Sequence, residues 1–215
     1  MEGVEGAGKS TQLALLQRRL TDAGRACVTF REPGGTPLGD EIRRLLLSPD
    51  SSISPRAEAL LFMASRAELL HRLLRPALAA GQTVILDRFF LSTYAYQVGG
   101  RGIAESDVRA ANAVATQGLV PDLTLLLTLP ADVGLSRAAK RGAHDRMEQS
   151  GAEFHTLVEA SFAQFASPVW QATHPECGVI VPVDAAGSED EVAARVLAAV
   201  SARFADIRPL VGVLS

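Results

Sequence analysis

The sequence predicts an α/β protein in which helices cover both faces of a parallel sheet. Short apolar segments typical of buried strands alternate with longer segments of helical periodicity, and this alternation implies crossover connections between parallel strands. A glycine-rich loop, "GVEGAGKS" at 3–10, leads directly into the first of these helices. The 215 residues are enough for one domain with a substantial core, so we expect a single domain over 1–215.

The first half of the chain contains two predicted strands and the helices around them. In order, the predicted elements are a helix from the loop to Gly24, a strand over 27–30, a helix over 39–47, a helix from Pro55 to about Ala80 and a strand over 83–87. Leu13, Leu16 and Leu20 recur on one face of the first helix. Pro76 lacks a backbone N–H and is expected to kink or divide the long helix.

The second half continues the alternation. In order, the predicted elements are helices around 91–97 and 105–118, a strand over 123–129, helices over 131–141 and about 152–173, a strand over 178–184 and a terminal helix over 188–204. Pro121 and Pro130 bound the leucine-rich strand. Ser188 is expected to cap the terminal helix, which is amphipathic.

Composition and charge narrow the classes of function. Hydrophobic residues make up 47% of the chain and charged residues 21%, a profile typical of a globular protein. A net charge of −3 argues against general binding to nucleic acid or to an anionic membrane surface. No apolar run is long enough to cross a bilayer, and no signal-peptide pattern is present. Cys27 and Cys177 belong to no cysteine cluster, so we expect free thiols and a cytoplasmic protein.

The glycine-rich loop matches the pattern G-x-x-x-x-G-K-[ST] at every fixed position. Glycines in such a loop let backbone N–H groups turn inward around phosphate oxygens, at the positive end of the following helix. Lys9 can bridge the β- and γ-phosphates of a nucleotide, and the Ser10 hydroxyl can ligate Mg²⁺. The alternative is a glycine-rich turn that merely precedes a helix. The complete motif favours a phosphate-binding loop, or P-loop.

Asp87, at the end of the predicted strand 83–87, is the predicted second metal ligand. The carboxyl ends of parallel strands form the ligand-binding edge of an open sheet, where P-loop proteins carry a metal-binding aspartate. An aspartate in this position can also be a turn residue. The neighbouring Arg88 favours the functional interpretation, because the pair offers a metal contact and a phosphate contact side by side.

Six segments of the chain resemble the thymidylate kinase family, of the bacterial type. They are, in family order, "EGVEGAGKST", "REPGGT", "DRFFLSTYAYQ", "GGRG", "PDLTLLL" and "RAAKRGAHDRME". The resemblance implies a P-loop NTPase-type sheet with strand order 2-3-1-4-5 and transfer of the γ-phosphoryl group of ATP to dTMP with Mg²⁺. It also implies a homodimer through apolar helix faces, for which "ANAVATQGLV" (111–120) is suited.

The resemblance assigns candidate site residues. For ATP they are Gly3, Val4, Glu5, Gly6, Ala7, Gly8, Lys9, Ser10, Thr11 and Arg137; for dTMP they are Glu5, Arg43, Phe62, Arg66, Arg88, Thr93, Tyr96 and Gln97; for the metal they are Ser10 and Asp87. Phe62 is expected to stack on the base and Arg66, one turn along the same helix face, to hydrogen-bond it. The alternative is a core phenylalanine and a surface charge. Tyr96 is expected to exclude a ribose 2′-hydroxyl.

The segment at about 137–150 resembles a lid. It holds Arg137, Lys140, Arg141 and Arg146 in an otherwise acidic chain. Bacterial-type members lack an arginine in the P-loop, as here with Gly6, so the resemblance implies that the lid supplies the catalytic cation. Arg141 is the first candidate and Arg146 the second, alongside Lys9 and Arg88 as catalytic residues. A basic turn without a catalytic role is the alternative.

The start of the chain departs from the expected pattern. Only Met1 and Glu2 precede the loop, although a buried strand leads into the loop of a P-loop fold. We therefore expect the first strand to be missing, which would leave 83–87 and 123–129 facing each other across a gap of roughly 10 Å with unpaired backbone groups. A misassigned start codon or a trimmed chain would account for this.

Two alternative functions remain open. Another nucleoside or nucleotide kinase would need a carboxylate to deprotonate a hydroxyl acceptor, and Glu32 in "REPGG" is the candidate. A truncated nucleotide-binding remnant would bind ATP and transfer nothing.

Overall fold

The computed structural model of the chain describes residues 1–130, 133–134, 137 and 145–204. Its strands are β1 (Glu2–Gly3), β2 (Cys27–Arg31), β3 (Thr83–Asp87), β4 (Thr124–Thr128) and β5 (Ile180–Asp184). Its α-helices are α1 (Lys9–Asp22), α2 (Pro37–Leu47), α3 (Pro55–Leu69), α4 (Arg75–Ala79), α5 (Phe90–Thr93), α6 (Glu105–Thr116), α7 (Ala152–Phe165), α8 (Pro168–Thr173) and α9 (Glu189–Arg203). The predicted alternation of strands and helices is confirmed.

The strands pair in parallel, as the crossover connections require. β2 pairs with β3, and β4 pairs with both β1 and β5. The two groups meet at the start of the chain, where the backbone nitrogen of Met1 donates to the carbonyl of Leu86 at 2.6 Å and the N–H of Arg88 donates to the carbonyl of Met1 at 2.9 Å. The first strand, expected to be missing, is thus present as the two residues of β1, and Met1 extends its contacts to β3.

Helices pack on both faces of the sheet. On β4, Leu125 and Leu127 point to one face and Leu126 to the other, as the period-two geometry of a strand requires. The first two belong to a buried cluster with side chains of α1 and α9. Leu126 belongs to a second cluster with side chains of α5, α6 and α7. The chain is therefore an α/β protein with a two-sided core, consistent with a P-loop kinase fold.

Two long predicted helices are divided. A π-helical turn, Leu70–Leu74, separates α3 from α4, whose second residue, Pro76, has no N–H for a helical bond. The helix predicted over about 152–173 breaks between α7 and α8, because Pro168 forces Ser167 out of the helical region, to φ −65° and ψ 131°. The helix predicted around 91–97 consists of α5 and a second π-helical segment, Tyr94–Gly100.

The cap of α9 and the two cysteine thiols agree with the predictions from the sequence. Ser188 caps α9 as predicted, and Glu191 completes a capping box with it. Cys27 and Cys177 are free thiols. The helix predicted over 131–141 lies largely outside the described residues. Within the described ranges, no helix has the length and apolar character needed to cross a membrane.

Candidate active site

A cavity of about 330 Å³ opens at the carboxyl ends of β2 and β3, beside the loop that precedes α1. It is lined by most of the predicted site residues, namely Glu5, Gly6, Gly8, Lys9, Ser10, Thr11, Arg43, Phe62, Arg66, Asp87, Arg88, Thr93, Tyr96 and Gln97. It is also lined by residues without a predicted contact to dTMP, ATP or metal, among them Arg31, Glu32, Pro33, Leu47, Phe89, Ser92, Asp145, Met147 and Glu148. Gly3, Val4, Ala7, Arg137 and Arg146 are not among the residues that line it.

The loop conformation depends on glycine. Gly8 is the N-cap of α1 and has φ 85°, in the left-handed region that only glycine adopts without strain. Gly6 has φ 74°, and a Cβ there would collide with the carbonyl group of Gly134. The backbone therefore turns tightly enough to surround a small anion at the N-terminus of α1.

Lys9 folds back onto its own loop. Its Nζ donates to the carbonyl oxygens of Gly3 at 2.9 Å and Val4 at 2.8 Å, and the side chain is buried. Burial, reinforced by the nearby Arg88, lowers the pKa of Lys9 to about 7, although surrounding carboxylates act in the opposite direction. A phosphate in the loop would supply the anionic partner that these two carbonyls only partly replace.

Ser10 and Asp87 bring two oxygen ligands to one side of the cavity. The Ser10 hydroxyl donates to Oδ2 of Asp87 at 2.8 Å. In the described part of the chain, no three His, Cys, Asp or Glu side chains are grouped closely enough to enclose a metal ion by themselves. Mg²⁺ typically uses one or two protein oxygens and completes its shell with phosphates and water. The hydroxyl and carboxylate therefore fit Mg²⁺ held together with a nucleotide.

Arg88 follows β3 in an unusual backbone conformation. Its φ is 69°, rare for a residue with a side chain. An amino group of its guanidinium donates to the hydroxyl of Ser92 at 2.9 Å, and its central carbon lies 5.3 Å from the centre of the Tyr96 ring. Burial would lower the pKa of Arg88, but Tyr96 and neighbouring carboxylates outweigh it, and the pKa is raised. Arg88 is thus a permanent cation in the wall of the cavity.

Tyr96 and Glu5 join the π-helical segment to the P-loop. The buried phenol of Tyr96 donates to Oε1 of Glu5 at 3.0 Å. Burial raises the pKa of Tyr96, so the phenol keeps its proton and remains a donor. The pair forms a polar wall between the loop and the helix that carries Gln97.

Arg43 reaches the cavity from α2. Thr36 caps that helix by accepting from the N–H of Gly39 at 3.0 Å, and this positions α2 over the "PGG" turn. A guanidinium nitrogen of Arg43 donates to the carbonyl of Pro33 at 2.9 Å. Burial and the nearby Arg31 lower its pKa, since cations crowd this end of the cavity. Such crowding is compatible with an anionic ligand.

Arg66 lies deeper in the protein than the sequence suggested, with 2% of its surface exposed. Its Nε and one amino group donate to Oε2 of Glu32 at 2.8 and 2.6 Å. That amino group also donates to the carbonyl of Phe89 at 2.9 Å and to the hydroxyl of Thr93 at 3.0 Å. The other amino group donates to Asn112. The alternative of an exposed surface charge is therefore wrong for Arg66.

A buried carboxylate, Glu58 of α3, connects Gln97 in the cavity wall with Arg146 of the predicted lid. It accepts from Gln97 at 3.1 Å, from Arg101 at 3.1 and 3.2 Å and from Arg146 at 2.7 Å. Arg146 also donates through Nε to the carbonyl of Leu46 at 2.8 Å, at the end of α2. Arg146 is therefore attached to α2 and α3 beside the cavity.

The remaining lid residues are only partly described. Arg137 donates to the carbonyl of Ala185 at 3.3 Å, just after β5. Lys140 and Arg141, including the first candidate for the catalytic cation, lie outside the described residues.

Comparisons with known proteins agree with this geometry. A family model described as "Thymidylate kinase" matches residues 1–174. The chain is similar to the thymidylate kinase of Deinococcus radiodurans, with 47% identity over 203 residues that cover 94% of this chain and 95% of the relative. It is also similar to a thymidylate kinase of Synechococcus sp. (strain JA-2-3B'a(2-13)), with 50% identity over 204 residues that cover 95% and 94% of the two chains. The thymidylate kinase of Desulfosudis oleivorans is 44% identical, with 96% and 97% covered.

Proposed function

The chain belongs to the thymidylate kinase family, and we propose that the cavity beside its P-loop binds ATP and dTMP together and that the γ-phosphoryl group is transferred there to give dTDP. The residues that line the cavity are the main support for this proposal. Lys9 of the P-loop, Asp87 and the arginine pair Arg43 and Arg88 all line a space of about 330 Å³. The triphosphate of ATP and the phosphate of dTMP would therefore lie next to each other, beside the positively charged side chains of this cavity.

The P-loop binds the phosphates of ATP. Backbone N–H groups of residues 3–11 and the N-terminus of α1 surround the phosphates, and Lys9 moves from the Gly3 and Val4 carbonyls to the β- and γ-phosphate oxygens. Because the pKa of Lys9 is low without an anion, phosphate binding favours its protonated form. The ammonium then stabilises the charge that develops during transfer.

Ser10 and Asp87 would hold Mg²⁺. Bound there with ATP, Mg²⁺ would offset the negative charge of the phosphates during transfer. Ser10 and Asp87 contribute an oriented hydroxyl and carboxylate whose mutual hydrogen bond fixes both side chains before the nucleotide arrives.

Arg88 and Arg43 bind the phosphate of dTMP. Their positive charges offset the repulsion between the acceptor and ATP, and a planar guanidinium can contact two phosphate oxygens. The acceptor oxygen is already anionic, so the reaction needs no strong general base. Transfer proceeds in line between the two phosphates without a covalent intermediate on the protein.

The base and sugar of dTMP lie against α3 and the segment from α5 to Gln97. Phe62 is half-buried in the cavity wall and offers a flat surface for the thymine ring. Arg66 and Thr93, already joined by a hydrogen bond, face the base edge. Tyr96 and Glu5 face the sugar, where the phenol leaves no space for a 2′-hydroxyl.

The lid supplies the last cation. Arg141 stabilises the transferring phosphoryl group, Arg146 is the second candidate for that role, and Arg137, beside Ala185, binds the nucleoside end of ATP. These roles come from the resemblance and stay predictions. So do the strand order 2-3-1-4-5, supported by the bonds of Met1 to Leu86 and Arg88, and the homodimer, which light scattering of the purified chain would test.

Other functions are less compatible with the site. A kinase that phosphorylates a hydroxyl group needs a free carboxylate as base. Glu32 is instead buried with Arg66 on its Oε2, and burial raises its pKa despite that partner. The inactive remnant is not favoured either, because the P-loop, the metal pair and the acceptor cations are all present in one cavity.

A coupled assay of ADP production tests the proposal. With Mg²⁺-ATP, the purified chain should phosphorylate dTMP with a higher kcat/KM than UMP, AMP or thymidine. The variant Lys9→Met, which removes the ammonium but keeps the volume, is the inactive control. Preference for UMP or AMP would refute the substrate, preference for thymidine would indicate a nucleoside kinase, and ATP binding without turnover would indicate the remnant.

A further inference from the structure

Glu2 is a buried carboxylate that the mechanism above does not use. Only 1% of its surface is exposed, and it is held by three donors. Its Oε1 accepts from the backbone N–H groups of Phe89 at 2.7 Å and Ser92 at 3.1 Å, and its Oε2 accepts from the Ser92 hydroxyl at 2.6 Å. A buried charge is tolerated when it is paired in this way. Glu2, which lies in β1, therefore caps the N-terminus of α5.

The Ser92 hydroxyl accepts a hydrogen bond on one side and donates one on the other. Its hydroxyl has one proton, and the carboxylate of Glu2 has none to give, so the proton points at Glu2. The lone pairs of the Ser92 oxygen then face the opposite way, where an amino group of Arg88 donates at 2.9 Å. The chain of hydrogen bonds runs from Arg88 through Ser92 to Glu2.

Arg88 needs such support. Its backbone has φ 69°, and such a conformation persists only where the surroundings stabilise it. The N–H of Arg88 donates to Met1, the residue before Glu2, and the N–H of Phe89 donates to Glu2 itself. Both the backbone and the side chain of Arg88 are thus tied to the first two residues of the chain.

We propose that Glu2 and Ser92 are positioning residues that hold the Arg88 guanidinium in the orientation in which it binds the acceptor phosphate. The inference rests on the proposed function, in which Arg88 makes that contact. Glu2 and Ser92 act through Arg88 and make no contact with the phosphate. A guanidinium fixed before binding loses less conformational freedom when dTMP arrives, and the gain appears as affinity for dTMP.

We call the hydrogen bonds from Arg88 through Ser92 to Glu2 the relay. Steady-state kinetics of Ser92→Ala and Glu2→Gln test it. Ser92→Ala removes the link and should raise the KM for dTMP roughly tenfold, as for a lost hydrogen bond to a charged group, with the KM for ATP within about twofold of wild type. Ser92→Thr keeps the hydroxyl, and its KM for dTMP should stay near that of wild type.

Glu2→Gln keeps the shape of the side chain but turns one hydrogen-bond acceptor into a donor. The Ser92 hydroxyl must then accept from the amide, its proton turns toward Arg88, and the KM for dTMP should rise comparably.

The same substitution in an Arg88→Ala background separates the possible outcomes. If Ser92 acts through Arg88, then Ser92→Ala should change the KM for dTMP by less than about twofold once Arg88 is absent. Equal effects in both backgrounds would mean that Ser92 contacts the substrate itself, and would overturn the proposal. An Arg88→Ala variant with an unchanged KM for dTMP would refute the phosphate contact, and with it the purpose of the relay.

Two control variants exclude general effects. Ser201→Ala removes another buried serine hydroxyl, in α9, and Glu41→Gln neutralises an exposed carboxylate of α2. Both should leave the two KM values unchanged. If Glu2→Gln fails to fold, the Ser92 variants still decide whether Arg88 is held by this contact. A folded Glu2→Gln with wild-type kinetics would remove Glu2 from the relay.

Discussion

The hydroxyl of Ser10 donates a 2.8 Å hydrogen bond to the carboxylate of Asp87, although 77 positions separate them in the chain. Ser10 lies in the first turn of α1 and Asp87 ends β3. They meet because a P-loop helix begins at the edge of the sheet where the parallel strands end. Both oxygens are hard ligands, and among the described residues no three His, Cys, Asp or Glu side chains are grouped closely enough to hold a metal ion by themselves.

Asp87→Asn should weaken the response to Mg²⁺. The amide lacks the negative charge that attracts the metal, so we expect a severalfold higher Mg²⁺ concentration for half-maximal activity and a lower kcat. Titration of activity with Mg²⁺ at saturating ATP measures this. Asp50→Asn, at an exposed position after α2, is the matched control and should titrate as wild type. An unchanged Mg²⁺ requirement in Asp87→Asn would exclude the metal role.

The ligand-free protein should become more stable as the pH rises from 7, because the buried Lys9 is then neutral in the folded state. Its pKa is about 7 in the fold, against 10.5 for an ordinary lysine, so between these values the unfolded chain binds more protons than the folded chain. Stability then rises with pH across this window, and below pH 7 the full cost of the buried charge is present. Relative to Lys9→Met, wild type should gain on the order of 3 kcal/mol between pH 7 and 9.5.

Urea unfolding of both proteins at the two pH values gives this difference, and the comparison cancels the titration of other groups. A difference that stays constant with pH, or one that falls, would show that Lys9 remains charged in the fold.

Arg66 should contribute strongly to stability. Arg66→Met leaves the buried Glu32 and Asn112 without their shared partner, and breaking a buried ion pair in this way costs about 3–5 kcal/mol. Arg72→Met removes an exposed arginine that pairs with Glu68, and should cost less than about 1 kcal/mol. Denaturant unfolding measures both. Equal losses in the two variants would contradict the network around Arg66.

Arg88 should matter far more than Arg44 for the acceptor. Arg88 lines the cavity, whereas Arg44 pairs with Glu41 at 3.0 Å on the exposed side of α2. We expect Arg88→Ala to lower kcat/KM for dTMP by roughly a hundredfold, and Arg44→Ala by less than twofold. Comparable kinetics of the two variants would remove Arg88 from the acceptor site.

The sequence predicts those parts of the site that are encoded by short patterns. The P-loop is one continuous segment, and Asp87 ends a strand rich in β-branched residues that Arg88 directly follows, so their positions follow from local spacing. The division at Pro168 of the helix predicted over about 152–173 could also have been predicted from the restriction that proline places on Ser167.

The connections between distant segments could not be predicted in this way. Glu2 and Ser92 lie 90 positions apart, and they meet only because β1 begins beside the end of β3. Glu58 looks like an ordinary polar residue in the first turns of α3, yet it accepts from both Gln97 and Arg146. Such pairs depend on strand register and helix packing, which periodicity does not specify.

The fate of the γ-phosphoryl group distinguishes direct transfer between the two bound nucleotides from every other outcome. The protein is incubated with Mg²⁺, dTMP and ATP labelled at the γ-phosphate, and nucleotides and acid-quenched protein are separated. Direct transfer predicts that the label appears as the terminal phosphate of dTDP, with none on the protein at any time. Label released as inorganic phosphate without dTDP, or label that passes through the protein, would contradict transfer between two nucleotides bound in one cavity.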